Sequence, residues 1–326
     1  MAYRSKATDR LRVLNAARAQ HDAASAGTPG FPAEIDSQIA LRAAQSNCTL
    51  LITGETGVGK GFLARWVHEN SARKNQPFIP VNCGAIPETL VDSQLFGHVR
   101  GAFSGASQDH LGLVRAAERG TLLLDEVSEL PPSAQNRLLR LLQDREVQPV
   151  GLSRPLLVDV RVIAATNVDL KIAVRDRKFR EDLLFRLDVI QLNVRPLRDR
   201  IHELPALLAT FNEELANLYQ QPPLEFNAAA MDLFRTYPWP GNVRQVRSLL
   251  ERLHVLCPGE IIGVEQVVGV GQLNPPPRQG EFQTSIDRMK REHLHRILTE
   301  AGGSIARAAE IFGVHRSTIY RWLRGG

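Results

Sequence analysis

Cysteine is scarce in this 326-residue chain: Cys48, Cys83 and Cys257 are its three, widely spaced and odd in number. They make neither a disulfide framework nor a zinc pattern, which excludes a small stapled secreted domain and fits a reducing cytosol. Each reads as a small buried apolar residue. Long hydrophobic runs are missing too. No apolar stretch approaches the ~20 residues of a membrane-spanning helix, so no membrane partner is expected. The first residues, Tyr3-Arg4-Ser5-Lys6, are polar and charged, without a signal-peptide core, and the expected location is cytoplasmic. A large excess of one charge sign is also lacking. The net charge is +5 and the isoelectric point near 9.4, a weak pull toward an anionic partner. There is no internal repeat. The length allows about two or three domains and a large core.

What is present begins with Gly54-Glu55-Thr56-Gly57-Val58-Gly59-Lys60-Gly61. It lies between a strand-like run, Thr49-Leu50-Leu51-Ile52, and a helix-like run, Phe62-Leu63-Ala64-Arg65-Trp66-Val67. Strand, glycine-rich turn and helix is the context of a phosphate-binding loop. The glycines let backbone N–H groups turn inward to phosphate oxygens, and the helix adds its positive N-terminal end. Lys60 then reaches the β- and γ-phosphates. The competing reading is a glycine turn with a surface lysine, and the flanking elements favour a nucleoside triphosphatase. Gly61 stands where Ser or Thr often holds Mg2+, so metal binding must rely on other groups and water.

Strand and helix patterns alternate from residue 31 to 196. Strands are predicted at Cys48–Thr53, Phe78–Asn82, Thr121–Asp125, Val160–Ala165 and Val189–Leu192, with helices at 60–72, 88–96 and 132–144 among them. That alternation implies an α/β fold with a parallel sheet flanked by helices. Residues 197–270 read as a small helical subdomain, with apolar spacing over Ile201 to Tyr219, 227–236 and 243–256. A linker at 271–283 contains Pro275-Pro276-Pro277. Residues 1–30 read as a short N-terminal arm and 284–326 as a separate all-α module.

Thr121-Leu122-Leu123-Leu124-Asp125-Glu126 is an apolar strand ending in two acids. In a parallel sheet ligands bind beyond the carboxyl ends of the strands. Asp125 is therefore placed to hold Mg2+, directly or through water, and Glu126 to orient and polarise the attacking water. Thr166 and Asn167 end the next strand as a polar pair able to sense the γ-phosphate, or as ordinary turn chemistry. Asn82, at a strand end, is a candidate to hold Glu126 in an inactive pose. Arg180 and Arg186 share a predicted short helix. They read either as arginines that stabilise phosphoryl transfer across a subunit interface or as a salt-bridged surface helix with Glu181 and Asp182. In Trp239-Pro240-Gly241-Asn242-Val243-Arg244, Asn242 is expected to cap a helix and Arg244 to fold over the nucleotide.

The last segment reads as helix, glycine turn, helix. Ser304 is its N-cap and Gly313 its turn, and the second helix offers His315, Arg316, Ser317, Thr318, Tyr320 and Arg321 outward. That is the layout of a DNA recognition helix in a helix-turn-helix. Residues 281–326 carry a net charge of +3, and 313–326 hold three arginines and no acid, which suits phosphate contacts. The competing reading is a helical protein-interaction tail.

Together these elements resemble the sigma-54-dependent transcriptional activators, also called bacterial enhancer-binding proteins. The deciding stretch is Gly101-Ala102-Phe103-Ser104-Gly105-Ala106, against the family's Gly-Ala-Phe-Thr-Gly-Ala. The resemblance covers about residues 31 to 326. It implies an AAA+ P-loop ATPase with a helical lid and a Fis-type helix-turn-helix. It implies hexameric rings with ATP sites between subunits, and as partners sigma-54 RNA polymerase and upstream DNA. By matching positions, Asp125 and Glu126 are the Walker B acids and Asn82 the glutamate-switch asparagine. Thr166 and Asn167 match the first sensor, Arg180 and Arg186 the trans-acting arginines, and Arg244 the second sensor. Phe103 and Ser104 match the residues that touch the sigma factor. From the residues themselves, Gly101 and Gly105 give the loop flexible ends and Phe103 is an exposed anchor.

Four positions depart from the family: Gly61 for an acid, Val99 for Glu, Ser104 for Thr, and Arg115 for Glu. None removes a catalytic group. Two other readings remain at this level. One is a DNA-binding regulator whose ATPase domain is only a scaffold, and the other is an AAA+ remodelling enzyme or helicase loader with a DNA tether. The sequence has no room for a receiver or ligand-sensing domain of ~100 residues, so control by a regulatory protein in trans, or by expression level, is expected.

Overall fold

Five strands carry the site: β1 (Leu50–Thr53), β2 (Phe78–Asn82), β3 (Thr121–Asp125), β6 (Arg161–Thr166) and β7 (Ile190–Asn193). In the computed structural model, which describes residues 37–271 together with Leu273 and Ile305, they pair in the order β2–β3–β6–β1–β7. All four pairings are parallel. The strands are buried on both faces, which is why they read as continuous apolar runs rather than alternating ones. Leu50, Ile52, Leu123, Ile163 and Ala165 face one layer, with α1 (Ser37–Gln45) and α2 (Lys60–Glu69) packed on them. Leu51, Leu122, Leu124, Val162 and Ala164 face the other. That layer is built from α3 (Glu88–Phe96), α4 (Leu113–Ala116), α5 (Pro132–Asp144), α6 (Leu170–Arg175) and α7 (Glu181–Leu187). Each leucine sealed between layers contributes about 1.5–3 kcal/mol. Buried Arg161 reaches from β6 to the carbonyls of Ala43 and Ala44 at 2.6 and 3.0 Å, holding the end of α1.

A second core belongs to the lid, made of α8 (Leu204–Tyr219), α9 (Ala228–Thr236), α10 (Asn242–Leu256) and α11 (Val264–Gly271). Trp239 is fully buried there, and its Nε1 donates to the Phe234 carbonyl at 2.8 Å. Two small pairings complete the described residues. β4 (Glu146–Val147) and β5 (Leu156–Leu157) form an antiparallel hairpin, and β8 (Glu225–Phe226) lies parallel to β9 (Ile261–Ile262).

The predicted segments at 78–82, 121–125, 88–96 and 132–144 match the observed elements. Others shift by one or two residues, β1 starting at Leu50, β6 at Arg161 and β7 at Ile190. The helix expected over 60–72 ends at Glu69, where Asn70 turns its side-chain amide back to the Trp66 carbonyl. The helix expected from Ile201 begins at Leu204, because Leu197–Glu203 is a 3-10 segment interrupted at Arg200 and Pro205 is compatible only with a helix's first turn. Among the described residues no helix is long and apolar enough to cross a membrane. The expected linker starts too early, since Gly271 ends α11 and Leu273 is buried in the lid core. The N-terminal arm, the rest of the linker and, Ile305 apart, the helix-turn-helix with His315, Arg316, Ser317, Thr318, Tyr320 and Arg321 lie outside the described residues.

Candidate functional site

The phosphate loop joins β1 to α2, and its shape is set from both sides. α2 begins at Lys60 with Gly59 before it and no capping side chain, which leaves the first-turn N–H groups available to an anion. Lys60 is buried, and its Nζ donates to the carbonyls of Gly54 and Glu55 at 2.8 and 3.0 Å. Burial pushes the Lys60 ammonium down from its ordinary value, while the nearby Asp125 and Glu126 carboxylates push it back up. Gly57 has φ of 79°, and a Cβ there would lie 2.4 Å from the Gly241 carbonyl of the lid. Only glycine admits that approach. Gly61 occupies the first turn of α2 and brings no side chain to the site.

The acids sit two strands away, with β6 between. Asp125 ends β3 opposite Asn82 on β2, and Glu126 follows in the left-handed region at φ of 56°. The Glu126 N–H donates to Asp125 Oδ1 at 3.0 Å. Asn82 does not bond Glu126; its Oδ1 accepts from the Ala85 N–H at 3.2 Å. The two side chains instead flank Gly84. A Cβ at Gly84 would stand 2.7 Å from Glu126 Oε2 and 3.4 Å from Asn82 Oδ1. Of the pair ending β6, Asn167 reaches the loop, its Nδ2 donating to Thr56 Oγ1 at 2.9 Å. Thr166 is fully buried, and its hydroxyl accepts from the Val168 N–H.

Arg180 and Arg186 are exposed and make no hydrogen bond to the phosphate loop among the described residues. Arg180 is the N-cap of α7 rather than part of it, and pairs in bidentate fashion with Asp182 at 2.6 and 2.9 Å. Arg244 is in the first turn of α10, and its N–H donates to the Gly57 carbonyl at 3.2 Å. Asn242, expected to cap that helix, does something else. It is fully buried at φ of 52°, accepts from the Leu197 N–H at 2.7 Å, and donates to Glu55 Oε2 and the Thr56 carbonyl at 3.1 and 3.0 Å. Its amide ties the lid to the phosphate loop instead of satisfying its own helix.

The loop Gly101–Ala106 rises from α3. The Gly101 N–H donates to the Ala106 carbonyl at 2.8 Å, so the turn is closed by a hydrogen bond rather than left open at flexible ends. Ala106 is buried, and Ala102 packs near Gly151. Phe103 is 41% exposed, and its ring meets the edge of His98 with centroids 4.9 Å apart. His98 in turn shares a 2.7 Å hydrogen bond with Ser93. The Val99 N–H donates to the Val150 carbonyl, tying the loop's base to the β4–β5 hairpin.

Residues 33–193 match the Sigma-54 interaction domain, 198–273 the AAA+ ATPase lid domain and 294–325 a Homeodomain-like domain. Over 317 residues the chain is 38% identical to the alginate biosynthesis transcriptional regulatory protein AlgB of Pseudomonas aeruginosa, a match that spans 96% of this chain and 70% of AlgB. The chain belongs to the sigma-54-dependent transcriptional activators. It is also 39% identical to the regulatory protein AtoC of Escherichia coli, across 85% of this chain and 62% of AtoC. The crystal structure of NtrX from Brucella abortus in complex with ATP is similar, with a TM-score of 0.68, 32% identity, and coverage of 88% of this chain and 66% of that one. The chain thus spans about two-thirds of the length of these relatives. Like other sigma-54-dependent activators, it is an AAA+ P-loop ATPase with a parallel sheet and a helical lid.

In this activator the fold brings Lys60, Asp125, Glu126, Asn167 and the Arg244 backbone to one end of the sheet, and leaves Arg180 and Arg186 on the surface. Sequence reasoning missed Gly84, Arg198 and Arg200. Arg198 forms a bidentate pair with Glu55 at 2.6 and 2.9 Å. Arg200 is buried, and its Nη2 donates to the Val58 carbonyl at 2.7 Å. The signal available was the pair of arginines following Pro196, which nothing local connects to the phosphate loop.

Proposed function

We propose that this chain uses ATP hydrolysis to remodel sigma-54 RNA polymerase and open promoters, while bound to upstream DNA through residues 284–326. The phosphate loop, Gly54 to Gly61 with Lys60, takes the phosphates. Asp125, an oxygen ligand beside that loop, fits Mg2+, which binds through one or two carboxylates and phosphate oxygens. The ion supplies charge neutralisation on the phosphates. Glu126 polarises water, and Asn82, across Gly84 from it and bonded to Ala85 here, takes hold of Glu126 only when that side chain turns toward it. Asn167, bonded to Thr56, reports the γ-phosphate, with Thr166 fixing the turn beneath it, and Arg244 folds over the nucleotide. Arg186 acts on the neighbouring subunit's site in a hexameric ring. The pairing of Arg180 with Asp182 favours a supporting role for Arg180. Phe185, 72% exposed beside Arg186, is an apolar side chain that a second copy would cover. Cytoplasmic location and a regulator in trans belong to the same reading.

The observation that carries the proposal is the exposed Phe103 on a closed Gly-Ala-Phe loop, within the same subdomain as a phosphate loop and an acidic pair. The experiment is a native gel of the protein with sigma-54. A complex is expected with ADP and a metal-fluoride γ-phosphate mimic, not with ADP alone, and not with Phe103→Ala. Measurable ATP hydrolysis without any such complex would favour a remodeller of another target.

A further inference from the structure

A phosphate loop works only if its N–H groups face the phosphate, and something must hold them there. In a planar trans peptide the C=O of one residue and the N–H of the next point in opposite directions. Fixing the carbonyls on one side therefore aims the following N–H groups to the other. Here every carbonyl from Gly54 to Gly59 has a donor. Lys60 Nζ takes Gly54 and Glu55, and the Leu63 N–H takes Gly59 within α2. The three between them are taken by the lid. Asn242 Nδ2 donates to the Thr56 carbonyl at 3.0 Å, the Arg244 N–H to Gly57 at 3.2 Å, and Arg200 Nη2 to Val58 at 2.7 Å. The N–H groups of Gly57, Val58 and Gly59 are turned away from the lid as a consequence.

These donors are themselves braced. Asn242 is fully buried, and its Oδ1 accepts from the Leu197 N–H, where the chain enters the lid. Arg200 is 3% exposed and pairs with Glu203 at 2.9 Å while also donating to the Arg195 carbonyl. At the rim, Arg198 grips both oxygens of Glu55, and Asn242 Nδ2 adds a third bond to Glu55 Oε2 at 3.1 Å. A structural lid core would need none of this. The three carbonyls belong to the one segment whose N–H direction decides binding.

We infer that Asn242, Arg200 and Arg198 are positioning residues for nucleotide: they template the phosphate loop from the lid side, separately from any contact the Arg244 side chain makes. The inference deepens the nucleotide reading and rests on it. Lid position and nucleotide affinity are then one equilibrium, because a lid that swings away releases the carbonyls of Thr56, Gly57 and Val58 together.

The test measures the Kd of fluorescently labelled ADP, and KM and kcat for ATP, on the full chain at a temperature where each variant is folded by its own melting curve. Asn242→Gly keeps the left-handed backbone without strain and removes all three amide bonds. Kd and KM are expected to rise at least tenfold, with kcat changing less than threefold. Arg198→Ala removes a half-exposed pair that the core does not need for folding, so it decides the matter even if Asn242→Gly unfolds. Its Kd is expected to rise at least threefold with only a small fall in melting temperature, since a half-exposed pair contributes little to stability, and Arg198→Lys to restore part of the loss. A purely structural role would lower melting temperature and leave Kd of the folded protein alone. Lys60→Ala separates the two readings. If it binds ADP as the wild type does, the nucleotide site itself is misassigned. If it loses binding while folded Arg198→Ala, and Asn242→Gly where it folds, keep the wild-type Kd, the templating inference alone is overturned.

Discussion

Gly84 shows how one missing methyl group can serve a charged neighbour. It lies between the side chains of Glu126 and Asn82, and a Cβ there would stand 2.7 Å from the Glu126 carboxylate, closer than real Cβ contacts allow. Gly84→Ala is therefore expected to displace Glu126 while leaving the phosphate loop untouched. The expected outcome is a kcat reduced about 10- to 100-fold, up to the lower end of the ~10²- to 10⁴-fold that a general base contributes because Glu126 is displaced rather than removed, with the Kd for ADP within twofold of wild type. Steady-state ATPase assays alongside ADP titration check it. Glu55 carries a pH prediction. Hydrogen bonds from Arg198, and then from Asn242, hold its carboxyl at about 2, below its ordinary 4.5. A depressed folded-state value means that the stabilisation is whole above about 4.5 and fades as pH falls toward about 2. The melting-temperature gap between wild type and Glu55→Gln should therefore be constant from pH 8 to 5.5 and shrink below 4.5. Glu55 is partly solvated, so the gap itself is small.

At the scale of elements, the Gly-Ala-Phe loop is the clearest case of a segment held by its surroundings. Phe103 stands against His98, His98 is tied to Ser93 on α3, and Val99 is tied to Val150 beside the β4–β5 hairpin. His98→Ala removes the ring under Phe103 without touching the nucleotide site. ATP hydrolysis is expected to stay within twofold, while the sigma-54 complex trapped by ADP and metal fluoride weakens at least fivefold on native gels. Equal complex yield from His98→Ala would show that Phe103 needs no support. Val99, where the family usually has Glu, packs beside Gly151, whose Cβ would come within 2.9 Å of it. The apolar side chain contributes to the loop's base in place of a charge.

At the scale of the molecule, Arg186 is exposed while Lys60 is buried in the phosphate loop. If Arg186 completes a neighbour's site, Arg186→Ala binds nucleotide normally and hydrolyses it at least 100-fold more slowly. Lys60→Ala fails to bind but still offers Arg186. Mixing the two inactive variants should then restore measurable ATPase, because some interfaces pair an intact Lys60 with an intact Arg186. No recovery at any mixing ratio, with assembly verified by light scattering, would place Arg186 outside the neighbour's site.

The sequence by itself determined whatever is local. A run buried on both faces has to be apolar throughout, so β3 is legible as Thr121–Asp125, and a glycine-rich turn before a helix declares Gly54–Lys60. Pro132 sets the start of α5 because only a first turn accepts it. Tertiary structure decided what those pieces meet. Asn242 was expected to cap its own helix, the ordinary use of an asparagine there. Instead it bonds Glu55, 187 positions away. Thr166 and Asn167 are equivalent polar neighbours on paper, yet the pleat buries one in its own turn and turns the other to Thr56. Hydrogen-bond partners of a loop's outward carbonyls leave no periodicity and no spacing in a sequence. They are fixed only when the sheet order and the docking of the lid bring distant segments within 3 Å of each other, which is why the phosphate loop was readable and the residues that aim it were not.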